Sequence, residues 1–410
     1  MGHPPFDMAK TTPILTPRET QRRQLQPMTA RSVRQPLRDH DFNSWELAGQ
    51  RRELAPCQTS AAVSFLVRKG LVEKRRRGRP STGGRADSLP VSADYGHVIG
   101  VDIGGSNLRV ALADIHGTVL GKWSASTRET SSPAMVVEQI REGTRYLLEH
   151  TSVSRRSLLA VAAGAPGVTD GDAGVVVATS YLKGWRDVPL RSMLESALGI
   201  PAAVENDVRL AAIGENWTGA ARGIGNFVFL AIGTGIAAGI FANGKLLHGT
   251  NWTAGEIGYM HVPGTPEGAA QQGSPGSLEG VIGGEGIRQQ WLHGCNGTGT
   301  PRTADLTATE IFERASAGDV LAESVLNRSA QVLAYAVYNI SLVLNCELFV
   351  LGGGVGMSGP LRDATRRVLE QYSAPARPKL ITSSLGEDAQ QVGAIRLALD
   401  RAQSRIGLKL

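Results

Sequence analysis

Three times in this chain an apolar run of strand type breaks into a glycine turn. The runs are "HVIGVDIGGSNLRV" at residues 97–110, "FVFLAIGTGIAAGIF" at 227–241 and "CELFVLGGGVG" at 346–356. Short apolar runs punctuated by glycine predict buried strands that end in tight turns. The first two are strand–turn–strand hairpins of the same kind, a hint of internal duplication. A turn without Cβ atoms lets backbone N–H groups approach phosphate oxygens. Asp102, Gly104, Gly105 and Ser106 occupy the first turn, Gly233, Thr234 and Gly235 the second, and Gly353 the third. Asp102 is suited to a magnesium ion that bridges phosphates, and the Thr234 hydroxyl to a phosphate oxygen. Taken singly, each is as well read as a plain hairpin. Three of them, each after an apolar strand, point to a nucleotide cleft between two lobes.

Between and after these turns, strand and helix patterns alternate. "SPAMVVEQIREGTRYLLEHT" and "VPLRSMLESALG" have helical periodicity, while "LLAVAAGAPG" and "AAVEND" read as strands. The alternation predicts an α/β body with a first lobe over residues 91–217 and a second over 218–388. The final helical pattern, from residue 389 to 410, is expected to pack back on the first lobe. With 410 residues, 41% hydrophobic and 20% charged, the chain has the composition of an ordinary soluble globular protein. Cys57, Cys295 and Cys346 are too far apart to encode a disulfide framework or a CxxC metal site. No run is long enough to span a bilayer, and the first residues lack the apolar stretch of a signal peptide, so a cytoplasmic location without membrane partners is expected.

The N-terminal part differs. Residues 1–30 are polar and proline-containing and read as disordered. Residues 31–90 read as a small DNA-binding unit. In "APCQTSAAVSFLVRKGLVEK" apolar residues recur at helical spacing, Gly70 stops the helix and "LVEK" reads as a strand, the second half of a winged helix-turn-helix. "KRRRGRPSTGGR" follows at residues 74–85, within a chain whose net charge is +6 and pI about 9.4. A charge run of this kind is commonly a solvated linker. Next to a recognition-like helix it also suits a phosphate backbone, with "RGRP" shaped for a narrow minor groove. The candidate base-reading residues are Gln58, Thr59, Ser60 and Ser64; the candidate backbone contacts are Lys74, Arg75, Arg76, Arg77, Arg79 and Arg85.

The remaining chemistry is carried by carboxylates. "VENDVRLAAIGE" places Glu205, Asn206 and Asp207 where a strand meets a helix. Asp207 can take a proton from a sugar hydroxyl attacking a γ-phosphate; Asp207 or Asn206 can equally be the N-cap of the helix. "AGEIGYMHV" supplies Glu256 and Tyr259, and "GSLEG" supplies Glu279. Carboxylates grouped with an amide suit a polyol, because each accepts from neighbouring hydroxyls. Surface carboxylates in loops are the alternative.

The ordered set "DIGGSNLRVAL", "GAPGVTD", "GWRDVPL", "VENDVRLAAIGE", "GTGIAAGI", "GEIGY", "SLEG" and "LGGGV" resembles the ROK family of sugar kinases and sugar-responsive repressors. The resemblance implies an α/β fold: a two-lobed actin-like, hexokinase-like (ribonuclease H-like) body, here with a small N-terminal winged helix-turn-helix. It places the glycine turns on the phosphate side, and Asn206, Asp207, Glu256, Tyr259 and Glu279 against the sugar, with Asp207 in the general-base position. There are departures. The family's zinc ligands, one His and three Cys, are replaced by Tyr259, Ala270, Gln272 and Ser277, so no zinc is expected. "GTGIAAG" puts Ala237 and Ala238 where the family has glycines, which sequence reasoning takes as a hindrance to phosphate. Tyr181 stands where an Asn is common. Upstream, the apolar first helix of the DNA-binding motif is degenerate. These features favour a sugar-responsive DNA-binding regulator, most naturally a repressor that binds an inverted-repeat operator as a homodimer or higher oligomer. Its effector would be a sugar, oligosaccharide or sugar phosphate. The alternative is an ATP- and magnesium-dependent sugar kinase with an N-terminal extension; the regulator itself requires no cofactor.

Overall fold

The computed structural model describes residues 93–127, 132–266, 275–298, 306–373 and 377–409. The chain divides into two units, Met1–Tyr95 with Ile406–Leu410, and Gly96–Arg405. Of the N-terminal part of the first unit, the described portion is the 3-10 turn Ala93–Tyr95. The DNA-binding candidates from Gln58 to Arg85, and Ala270 and Gln272, lie outside the described residues.

The second unit contains two sheets of the same design. The first is built from β1 (His97–Ile103), β2 (Asn107–Asp114), β3 (Val119–Ser126), β4 (Leu158–Ala165) and, later in the chain, Ala202–Asn206. Helix α1 (Pro133–Thr151) precedes β4; Ser132 caps it by accepting the Met135 N–H, and Pro133 opens it. Between β4 and the last strand, β5 (Val168–Asp170), β6 (Val175–Ala178) and β7 (Arg186–Val188) form a separate three-stranded antiparallel sheet that the sequence patterns had not indicated. Then come α2 (Leu190–Leu198), the fifth strand of the first sheet, β8 (Ala202–Asn206), and α3 (Asp207–Trp217). The sheet order is β3-β2-β1-β4-β8, with β1, β2 and β3 antiparallel and β4 and β8 parallel to β1. β1 and β4 are buried along their whole lengths, as befits central strands covered on both faces.

The second sheet repeats this order with β9 (Phe227–Ile232), β10 (Ile236–Ala242) and β11 (Lys245–Leu246) as the antiparallel part. The helices α4 (Glu279–Ile282), α5 (Gly284–Thr298), α6 (Ala308–Ser316) and α7 (Val320–Leu344) follow. A full capping box between Thr307 and Glu310 starts α6, and Asp319 caps α7. β12 (Leu348–Gly352), α8 (Gly353–Gly356), α9 (Gly359–Leu369) and β13 (Lys379–Thr382) complete the order β11-β10-β9-β12-β13. The duplication hinted at by two hairpins is therefore a duplication of whole sheets.

The last helix is α10 (Ala389–Lys409). A Cβ on Gly100 of β1 would lie 2.7 Å from Ile395 and 3.2 Å from the Gln391 carbonyl oxygen, so this helix crosses the first sheet at a glycine. Helix α3 is central. Its Val208, Ala211 and Ala212 pack with Phe227, Phe229, Phe241 and Val350 of the second sheet, while Leu210 reaches Gly164 of β4. The N-terminus of α3 therefore sits where the two sheets meet, which fixes the position of Asp207.

Candidate functional site

The first glycine turn is closed by the Gly104 N–H donating to the Asn107 carbonyl (2.9 Å), and Thr127 ties it down by donating to the Gly104 carbonyl and the Ser106 carbonyl. At the end of β1, Asp102 is buried and accepts two N–H bonds on Oδ2 from Arg109, at 3.0 and 2.7 Å. Burial pushes the Asp102 carboxyl up, and the Arg109 charge pulls it back. Its carboxylate is thus engaged by a cation on the facing strand.

In the second turn the Gly233 N–H donates to the Gly235 carbonyl (2.9 Å), and the Gly233 carbonyl accepts from Gly284 at the start of α5. Thr234 is exposed at the tip. The expectation that Ala237 and Ala238 hinder a phosphate is corrected here. Both lie inside β10, paired with Ala231 and Leu230; Ala238 is buried in the core and Ala237 packs against the cluster around α3. Their methyl groups fill the sheet faces and leave the turn itself unchanged. The third turn is a strand-to-helix junction. Gly353 has φ +76° and is exposed, and a Cβ there would sit 2.5 Å from the Ile232 carbonyl oxygen, so glycine is required by the close approach of two strand ends.

Asn206 and Asp207 divide the two roles the sequence left open. Asn206 is the N-cap of α3: its Oδ1 accepts the Arg209 N–H (3.0 Å), and its Nδ2 donates to the Gly167 carbonyl and to Asp207 Oδ1, both at 3.0 Å. Asn206 is 6% exposed, and its bonds to Gly167, Arg209 and Asp207 position the Asp207 carboxyl. Asp207 opens the helix and accepts the Val208 N–H at 2.9 Å. Its carboxyl is pushed up to about 7, first by burial and then by the like charge of Asp102, with Glu256 adding to it. A carboxylate poised near neutrality is what a general base needs.

Glu256 and Glu279 approach from the second lobe. Glu279 Oε2 accepts the Ile236 N–H at 3.2 Å, next to the glycine turn. Burial raises the Glu256 carboxyl, Arg209 lowers it, and the Glu279 charge raises it again. Tyr259 is 58% exposed. Of the four positions where the family carries zinc ligands, Tyr259 and Ser277 are described. Ser277 Oγ is hydrogen-bonded to His261 Nε2 at 3.2 Å. An exposed phenol and an engaged hydroxyl do not fit a tetrahedral site, and no group of three or more His, Cys, Asp or Glu able to hold a metal occurs among the described residues. Within this loop the Leu278 N–H donates to the Gly258 carbonyl at 3.0 Å.

Two sets of contacts here were not expected from the sequence. Beneath Asp207, Arg209 is 2% exposed and donates to Glu205 (3.0 Å) and to the Thr169 and Trp252 carbonyls. His248 Nε2 meets the other Glu205 oxygen at 2.8 Å and stacks edge-on against Trp252. This network, with Arg209 and Glu205 buried at its centre, joins the first lobe to the loop before Glu256. The i,i+4 spacing of Glu205 and Arg209 was its one readable sign. Tyr181, which the sequence marked only as standing where an Asn is common, lies in the loop between β6 and β7. Its hydroxyl is 2.5 Å from where a Cβ on Gly235 would be, and its own Cβ 3.4 Å from where one on Gly105 would be. The phenol is pushed up to about 12 by burial and then by Glu279, Asp207 and Glu256. A groove lined by Glu138, Arg141, Arg145 and Leu148 shares no residue with these groups.

Two glycine turns, an Asp poised near neutrality and two carboxylates from the opposite lobe form one constellation between duplicated sheets. The ROK family model matches residues 98–401. A glucokinase of Halalkalibacterium halodurans is 34% identical over 310 residues, covering 72% of this chain and 92% of that protein. A xylose repressor of Caldicellulosiruptor bescii is 23% identical over 363 residues, covering 85% of this chain and 89% of the repressor. Among solved structures, a ROK family transcriptional regulator, homologue of the E. coli MLC protein, superposes with a TM-score of 0.76 at 21% identity, over 94% of this chain and 99% of that one. With the family model spanning the duplicated sheets and the carboxylate site between them, this chain belongs to the ROK family.

Proposed function

We propose that this protein is a sugar-responsive, DNA-binding transcriptional regulator whose kinase-like body is the sensor. One observation carries the reading. The alignment with a glucokinase covers 72% of the chain and that with a xylose repressor 85%. The family model already reaches residue 401 of 410, so the additional aligned chain is chiefly N-terminal, where the recognition-like helix and the basic arm lie. On this reading Gln58, Thr59, Ser60 and Ser64 read base edges, and the Arg and Lys residues between 74 and 85 hold the phosphates. Asp207, Glu256 and Glu279 accept hydroxyls of a sugar. Closure of the lobes on that sugar changes the spacing of two DNA-binding units in a dimer.

A second reading, a sugar kinase, has its own support: the Asp207 carboxyl near 7 and glucokinase relatives at 34% identity. One experiment separates the two. Operator DNA is selected from a random duplex pool with the full-length protein. It is then tested with residues 91–410 alone, beside a coupled ATP-turnover assay on a hexose panel. The regulator reading expects operator binding that the truncation abolishes and turnover at background. Its salt slope falls by about 0.9 for each lost phosphate contact. Operator binding by the truncated chain, or robust sugar-dependent turnover, overturns it. The loop around Ser277 and His261 should need no metal, so chelator-washed protein should carry well under one zinc per chain. A stoichiometric zinc would show that the four ligand positions are misplaced.

A further inference from the structure

The side chain that lies between the two glycine turns of this molecule is that of Tyr181. Its loop is set by its own N–H donating to Thr179 Oγ1 at 3.1 Å. From there the side chain leaves the first-lobe turn, with Tyr181 Cβ 3.4 Å from the Cβ position of Gly105. It ends at the second-lobe turn, where the Cβ position of Gly235 lies 2.5 Å from both the Tyr181 hydroxyl and Glu279 Oε2. One phenol thus spans the gap between the two glycine turns. It is 48% exposed, so no close-packed core holds it there.

That gap is where a phosphoryl group would have to stand to touch both turns and a hydroxyl held by Asp207. The charges around it point the same way. Asp102, Asp207, Glu256 and Glu279 all act on this region, and Asp207 and Glu256 are held up by their like-charged neighbours as well as by burial. The arginines that offset them are engaged, Arg109 on Asp102 and Arg209 on Glu205 and two backbone carbonyls. A phosphate dianion entering here meets carboxylates and a phenol ring. A neutral polyol meets hydrogen-bond acceptors.

We propose that Tyr181 is the specificity-determining gate of this cleft: it fills the space between the Gly105 and Gly235 turns, excludes phosphoryl groups, and restricts the site to uncharged sugars. The proposal rests on the reading of the Asp207–Glu256–Glu279 cluster as a sugar site. The excluded group can come from two sources, the terminal phosphate of a nucleotide or the phosphate ester of a sugar, and the gate acts on both.

The test uses the full chain as wild type, Tyr181→Asn and Tyr181→Phe, titrated calorimetrically with three probes. These are a set of neutral aldoses (glucose, xylose, N-acetylglucosamine), the 6-phosphates of glucose and N-acetylglucosamine, and Mg–AMPPNP. Wild type is expected to bind a neutral aldose at least about tenfold more tightly than its phosphate ester, and to bind Mg–AMPPNP weakly. Tyr181→Asn opens the gap and should bring the ester to within about threefold of the aldose. It should also tighten Mg–AMPPNP by about tenfold or more. Tyr181→Phe keeps the ring and should behave as wild type towards phosphate, which also shows that the loop folds without the hydroxyl. The gate is overturned if wild type binds Mg–AMPPNP as tightly as Tyr181→Asn, or if opening the gap leaves both phosphate probes unchanged. A protein that binds no aldose in any variant overturns the sugar reading, and the nucleotide titration then decides the gate by itself.

Discussion

The two glycine turns occupy equivalent places in duplicated sheets, yet they are stabilised in different ways. In the first lobe the turn is held by polar groups: Asp102 on Arg109, Thr127 on the carbonyls of Gly104 and Ser106. In the second it is held mostly by backbone groups, with the Glu279 carboxylate taking part. The Gly233 carbonyl receives α5 through Gly284, the Ala238 N–H donates to the Gly255 carbonyl, and Glu279 receives Ile236. The same topology can therefore be kept by an ion pair in one copy and by close backbone approach in the other. The charged groups of the site come from both sides of that division, Asp102 and Asp207 from the first lobe and Glu256 and Glu279 from the second.

The largest effect should come from breaking the backbone fit. Gly255 has φ +95°, and a Cβ there would collide with the Ala238 carbonyl oxygen. Gly255→Ala combines a left-handed conformation with a clash against backbone, and should cost about 3–5 kcal/mol by denaturant unfolding. Gly104→Ala, in the first-lobe turn, brings a Cβ 2.9 Å from the Asn107 carbonyl oxygen. It should cost roughly 1–2 kcal/mol, since a hairpin turn can shift. Equal losses would mean that the two turns are held alike after all.

Next comes the charge side. The Asp207 carboxyl is raised from 3.8 to about 7 in the fold. Between those two values the folded chain holds a proton that the unfolded chain releases, so stability falls as pH rises through this window. Above pH 7 the buried charge carries its full penalty; below about pH 4 both states are protonated and the penalty is gone. Asp207→Asn should therefore stabilise the ligand-free protein by about 1–3 kcal/mol at pH 8, a gain that shrinks towards pH 4. The same variant should weaken the response to sugar, because a charged acceptor is lost. A pH-independent change would place the effect in the helix cap instead of the charge.

The smallest effect tests the tip of the second turn. Thr234 is exposed at the tip of the turn. Thr234→Ala should change stability by no more than about 0.5 kcal/mol and leave the sugar response intact. A loss of sugar response would show that the second turn acts on the ligand, and would move the site's chemistry across the cleft.

Much of this molecule was legible in its sequence because the relevant causes are local. A buried strand needs consecutive apolar residues and a tight turn needs glycine, so both lobes announce themselves in ten or so neighbouring positions. The strand-to-helix junction at Asn206 and Asp207 was visible for the same reason, although which of the two is the cap was not. The three-stranded β5–β7 sheet was missed because its strands are three or four residues long, too short for a period to show.

The residues alone determined two glycine-turn lobes and a carboxylate at the head of α3. Tertiary structure decided everything that depends on distance across the chain. It turned Asn206 inward, drew Arg209, Glu205 and His248 into one network, and placed Ala237 and Ala238 within β10. It also laid Tyr181 between turns that are more than a hundred residues apart in the chain, one at Gly105 and the other at Gly235. The physical reason is the range of the forces involved. Backbone conformation is governed by sterics between adjacent residues, which leaves a local signature, whereas the partner of a buried charge or ring is chosen by how whole sheets pack.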